Sequence, residues 1–300
     1  QVRFLAGLPF TRAARPSMSA ALTESSNTAP RLDGSWDRLL GGSGRVLAIK
    51  ILGAFGGFLF SLLVARRFGD AALGKAELFV LAITVGATLL RGGLEGAVVK
   101  LFGAWSSDGQ YSRIARRFLK WTLPLLVVSA LIGLSSWWFP WSIGPVRMDG
   151  WLGLAMGAWV LIGWSGEALR GTGRVGWYAL LQPGWWMLMA GALIVLLGCA
   201  PTQALSIMGA VLAAMGLLGA ASIFIGKATD KANRITEVTA AQDGRVLRSL
   251  AAPIWLGSML HMVLSWADTA MLAMWLGEAD VAHYRAAFRL AALLTFTQFA

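Results

Sequence analysis

The sequence predicts an all-α protein that crosses a membrane several times. Of its 300 residues, 57% are hydrophobic and only 14% charged. The mean hydropathy is +0.64. Apolar stretches of membrane-crossing length recur along the chain. Soluble domains are roughly 45–50% apolar and about 25% charged, so this composition excludes most soluble-enzyme readings and intrinsic disorder. The lone cysteine, Cys199, excludes an internal disulfide and a Cys-cluster metal site. Two histidines, His261 and His283, do not make a His-rich site, and no metal or cofactor is expected. The 36 glycines and 15 tryptophans fit helices that pack closely and anchor at bilayer interfaces.

A helix needs about 20 apolar residues to cross a hydrocarbon core of roughly 30 Å. Seven segments qualify: Val46–Val64, Ala76–Val99, Leu119–Phe139, Trp151–Leu169, Gly176–Gly198, Ala204–Gly226 and Leu250–Leu276. An eighth opens near Ala282 and is still apolar at Ala300, which predicts a longer parent protein. The expected organisation is a polar segment (1–44), a six-helix bundle (45–226), a basic linker (227–249) and the start of a second bundle (250–300). The chain opens on Gln1, and Met18 begins a polar leader. Residues 1–17 hold Arg and no acid, and read either as upstream sequence or as a transit-type segment.

Orientation comes from Lys and Arg in alternate connections. Eighteen fall with the N-terminus, between spans two and three, after span four, and between spans six and seven; six fall on the other side. The N-terminus is therefore expected in the cytoplasm, and the net charge of +11 reads as a topology signal with no nucleic acid as partner. The longest connections, Lys100–Phe118 and Lys227–Ser249, are too short for a catalytic domain. Within the first, Gln110–Trp121 reads as an amphipathic helix at the membrane surface or as a solvated linker. Pro183-Gly184 predicts a kink in span five, and the pairs Gly92/Gly96 and Gly153/Gly157 have the spacing of close helix packing.

Two turns resemble one another. Phe68-Gly69-Asp70 precedes a small residue and a new helix, and so does Leu276-Gly277-Glu278, 208 residues later. Six spans separate them, so the second copy keeps the orientation of the first, as in a parallel repeat about an axis normal to the membrane. Two stretches then resemble a known family. Gly44–Lys100 carries Ala65-Arg66-Arg67-Phe68-Gly69, Gly74 and Gly93-Leu94; Pro253–Leu294 carries Pro253, Asp268, Leu276-Gly277 and Tyr284-Arg285-Ala286-Ala287-Phe288-Arg289-Leu290. These are similar to the polysaccharide-biosynthesis membrane proteins, lipid-linked oligosaccharide flippases of the multidrug/oligosaccharidyl-lipid/polysaccharide exporter superfamily. At Ala282-His283-Tyr284 this chain departs from the family, where Gly more often precedes the apolar-Tyr pair. The resemblance implies two six-helix bundles, of which the first and the start of the second are present. It also implies a polyprenyl-pyrophosphate sugar as cargo, and glycosyltransferases and a polymerase of the same pathway as neighbours.

Charges inside spans are expensive and are therefore the candidates for function. Lys50 lies a turn into span one, and Arg91 and Glu95 lie four apart in span two. Glu167 and Arg170 read as a boundary pair at the end of span four. His261, Ser265 and Asp268 share one stripe of span seven; Arg285 and Arg289 open span eight. Lys50, Arg91, Arg285 and Arg289 are the expected binding groups for an anionic cargo, since Arg forks match pyrophosphate oxygens. Asp268, His261 and Glu95 are the expected ion-coupling groups. Each has a plain alternative: snorkelling for Lys50 and Arg285, local pairing for Arg91–Glu95, a structural bond for Asp268. No Walker motif or nucleotide fingerprint is present, and an enzyme is not expected. The alternatives are a multidrug cation antiporter of the same superfamily and a membrane-embedded polysaccharide polymerase or ligase.

Overall fold

The computed structural model describes residues 35–107, 110–139, 141–143, 146–148, 151–225 and 237–296. The chain divides into two units, Gln1–Gly44 and Arg45–Ala300. Of the first, residues 35–44 are described, and they are helical. The leader around Met18, residues 226–236 of the linker and residues 297–300 of the last apolar run lie outside the described residues.

Ten helices and one short hairpin are described. They are α1 (Ser35–Phe68), α2 (Asp70–Arg91), α3 (Leu94–Ser107), α4 (Tyr111–Trp138), α5 (Trp151–Gly171), α6 (Val175–Leu180), α7 (Pro183–Leu196), α8 (Pro201–Ile225), α9 (Glu237–Trp275) and α10 (Glu278–Phe296). The hairpin, β1 (Trp141–Ile143) and β2 (Val146–Met148), joins α4 to α5 with Ser142 opposite Arg147. Among the described residues, five helical stretches are long and apolar enough to cross a membrane: Leu47–Phe68, Asp70–Arg91, Tyr111–Ser135, Trp151–Gly171 and Gln203–Ile225. The protein is thus all-α and multi-pass. Helices α9 and α10, which hold the predicted spans seven and eight, stand outside these five. These two helices carry His261, Asp268, Glu278, Arg285 and Arg289.

Two predicted spans are corrected. Span two, expected as one helix over Ala76–Val99, is two helices. Gly92 and Gly93 both take left-handed φ, +56° and +72°, and the Gly92 N–H bonds the Leu89 carbonyl to cap α2. Glycine bears that conformation without steric cost, so adjacent glycines are where a helix breaks most easily. Gly92/Gly96 is therefore not a packing face on one helix: Gly93 abuts the backbone at Ala251 and Trp255, and Gly96 abuts Ile254. Span five is also two helices, α6 and α7. Pro183 does not kink a continuous helix. It starts α7, where its missing N–H costs nothing. By contrast, Gly153 and Gly157 pack as their spacing predicts, with Gly153 against Gly133 and the Ser129 hydroxyl donating to the Gly153 carbonyl at 2.6 Å.

The segment Gln110–Trp121 is neither a separate surface helix nor a linker. It is the first part of α4, which runs on past Pro124. Ile114 and Phe118 are buried, and the Arg113 guanidinium lies 4.4 Å over Trp105 of α3. Its apolar stripe faces protein rather than lipid. Helix α5 is the hub, buried over most of its length among α2, α3, α4 and α8. The outer faces of α4, α8 and α9 expose Leu123, Val127, Leu131, Leu217, Leu218, Leu260 and Leu264. Apolar bands of that extent suit a hydrocarbon solvent.

Candidate functional site

Charged side chains gather at two levels of the bundle. Glu77 and Arg91 mark those levels on α2; fourteen residues at 1.5 Å rise put them about 21 Å apart.

The first cluster lies at the seam between α1, α2 and α10. Glu77 is fully buried, and the side chains of Arg285 and Arg289 are 8% and 12% exposed. Arg289 Nη2 reaches Glu77 Oε1 at 2.7 Å, and Arg285 Nε reaches Oε2 at 3.5 Å. Arg289 Nη1 donates to the Gly57 carbonyl at 2.9 Å and to the Ser61 hydroxyl, and Nη2 meets the Met187 sulfur at 3.4 Å. The Arg285 guanidinium stacks 3.9 Å from the Trp266 ring. One carboxylate therefore serves two guanidiniums. In the same region Asp268 accepts from the Tyr284 hydroxyl and, at 2.6 Å, from the Thr269 N–H.

This seam follows the repeat. Helix α2 starts at Asp70 and α10 at Glu278, 208 residues apart, and the bonds Leu73 N–H to Gly69 O and Val281 N–H to Gly277 O are the same bond in each copy. Lys75 pairs with Glu278 at 3.6 Å, and His283, the counterpart of Lys75, pairs with Asp70, the counterpart of Glu278, at 3.2 Å. Such reciprocity, in which i meets j′ and i′ meets j, is the mark of a two-fold relation. Glu77 and Arg285 are themselves 208 apart and touch each other, so they lie at the axis. Close approach is possible because residue 74 is glycine: a Cβ there would strike the Glu278 backbone.

The second cluster lies at the opposite ends of α2 and α5. Arg91 Nη1 meets Glu95 Oε2 at 2.6 Å across the Gly92–Gly93 break, and Ser258 donates to Glu95 at 3.3 Å. Gly163 of α5 leaves the room that the Arg91 guanidinium fills. Arg170 pairs with Glu167 at 3.2 Å. Lys50 and Arg170 each sit 5.7 Å from the centre of the Tyr178 ring.

Of the residues singled out by sequence, Lys50, Arg91 and Glu95 join one cluster, with Glu167, Arg170 and Tyr178. Arg285 and Arg289 join the other, with Asp268 beside it. His261 is exposed on α9 and makes no ion pair or hydrogen bond among the described residues. Sequence reasoning missed Glu77, Trp266 and Tyr178. The repeat could have found Glu77, because Arg285 minus 208 is position 77. A cavity of about 950 Å³ opens elsewhere, between α4, α5 and α8, lined by Leu126, Gly157, Leu161 and Leu217 among others and by no ionisable group. Among the described residues no cluster of His, Cys, Asp and Glu could hold a metal ion. No protein-family model, curated protein or solved structure matches the chain.

Proposed function

We propose that the chain is the first bundle and part of the second of a flippase. It carries a polyprenyl-pyrophosphate-linked oligosaccharide from the cytoplasmic to the outer leaflet of the inner membrane for surface polysaccharide synthesis. The observation that carries this reading is a pair of arginines, Arg285 and Arg289, buried together at the seam between the two repeats. Guanidiniums held in a low-dielectric seam attract an anion through focused field lines and bind its oxygens through paired donors. With the N-terminus in the cytoplasm, the seam lies in the outer half of the membrane and the Arg91 cluster at the cytoplasmic face. A pyrophosphate would meet Lys50, Arg91 and Arg170 on entry and Arg285 and Arg289 on exit. The two copies of the repeat rock about their common axis, and the lipid tail stays in the bilayer.

Deletion of the full-length gene tests this, with complementation beside it. The expected result is loss of surface polymer with lipid-linked repeat units retained inside. An unchanged profile in a strain without a second flippase defeats the reading. It would favour the cation antiporter, for which the buried Glu77 and the intramembrane Asp268 supply the acidic groups that such a carrier needs.

A further inference from the structure

Among the described residues, the seam holds the most buried of the ion pairs. A buried charge persists in a protein only when it is paired and hydrogen-bonded. At the seam the balance is uneven. Two guanidiniums converge on one carboxylate, Glu77, and its two oxygens are divided between them. The remaining Arg289 donors go to a carbonyl, a hydroxyl and a thioether, none of them charged. Arg285 has an indole face. Asp268, the next acid, is already bonded by Tyr284 and Thr269. Two guanidiniums gathered around one anion are also a setting in which proteins hold a phosphate group.

We infer that Glu77 is a resident stand-in for an anionic ligand: its carboxylate occupies, between Arg285 and Arg289, the place that a phosphate group takes when α10 moves away from α2. This deepens the flippase reading and rests on it for the identity of the cargo, while the site itself needs only a phosphate. Three features fit an exchange rather than a fixed strut. The stand-in and the two arginines belong to different repeats, so rocking of the repeats separates them. The flanking contacts of the seam, a half-exposed Lys75–Glu278 ion pair and an exposed His283–Asp70 hydrogen bond, are of the kind that break at little cost. The helices touch through glycine at position 74, a contact that opens without side chains having to withdraw.

The test is anion rescue of Glu77→Ala in the full-length protein, purified in detergent with 50 mM-scale sodium phosphate or with sodium chloride at equal ionic strength, about the level needed for a weak site. Removing the carboxylate leaves a vacancy between two arginines. Phosphate, the probe, should raise the melting temperature of Glu77→Ala by several degrees over chloride, and leave the wild type within about a degree. The double variant Glu77→Ala/Arg289→Ala should lose the phosphate effect. If Glu77→Ala is recovered only when phosphate is present from lysis onward, the inference is supported in the same way. It is overturned if phosphate and chloride act alike on Glu77→Ala, if wild type and variant respond equally, if the double variant keeps the response, or if the variant cannot be recovered with either salt. Failure here with loss of surface polymer in the deletion strain removes the stand-in alone. Rescue here with an intact polymer profile removes the flippase reading and leaves a phosphate site.

Discussion

The two charge clusters are built from the same residue types in opposite ways. At the seam, each ion pair joins residues more than 200 positions apart, and the central three side chains are almost wholly buried. Around Arg91, the pairs are local, Arg91 with Glu95 and Glu167 with Arg170, three or four residues apart and partly solvated. Such pairs need only a turn or a single helix break to form, so they add little to the fold. Long-range pairs exist only when both repeats are in place. The seam therefore reports on how the repeats are assembled, while the Arg91 cluster meets the second repeat through one neutral donor, the Ser258 hydroxyl on Glu95.

The sharpest way to break the comparison is to remove the shared acid. Glu77→Gln should destabilise the full-length protein by about 3–5 kcal/mol, because it strands two buried cations. Thermal unfolding in detergent measures it, and a loss below 1 kcal/mol would mean that the seam is hydrated. The next largest effect falls on packing. Gly74→Leu drives a side chain into the Glu278 backbone and should cost about 1–3 kcal/mol. A cross-link between cysteines introduced at Lys75 and Glu278 should form readily in the parent and poorly in that variant. At the other cluster, Arg91→Ala should cost only about 1 kcal/mol, yet abolish transport with membrane insertion intact. Retained transport would take Arg91 off the cargo's path. The smallest effect is at the most solvated guanidinium of this cluster. Arg170→Ala should change stability by less than about 0.5 kcal/mol, and 0.5 M salt should erase the difference. A larger value would show that its contact with Tyr178 outweighs the ion pair.

Much of the fold was legible, because burial in lipid demands long apolar runs and those runs are visible in composition. Helices α1, α4, α5 and α8 each answer to a predicted span. The breaks were not legible. Hydropathy averages over a window, and Gly92, Gly93 and Leu181–Gln182 hardly alter the average although they reset the backbone. The direction of a helical stripe was misread for the same reason in reverse: Ile114 and Phe118 make an apolar face, but sequence cannot tell a face turned to lipid from one turned to α3. Of the two clusters, Arg91–Glu95 could be read from a spacing of four. The seam could not be read from charge alone, since Glu77 stands among small and apolar neighbours near the start of α2. The repeat offset is the signal that reaches it, applied residue by residue rather than to the turns only.

The position of Glu77 against Arg285 bears on whether the two copies of the turn could be exchanged. In a dimer of identical subunits, a residue on the two-fold axis meets its own copy, so an acid there would face an acid. Only where both copies lie in one chain can one of them carry Glu and the other Arg at that point. The ion pair makes the two copies non-interchangeable: a protein assembled from two first repeats would set Glu77 against Glu77.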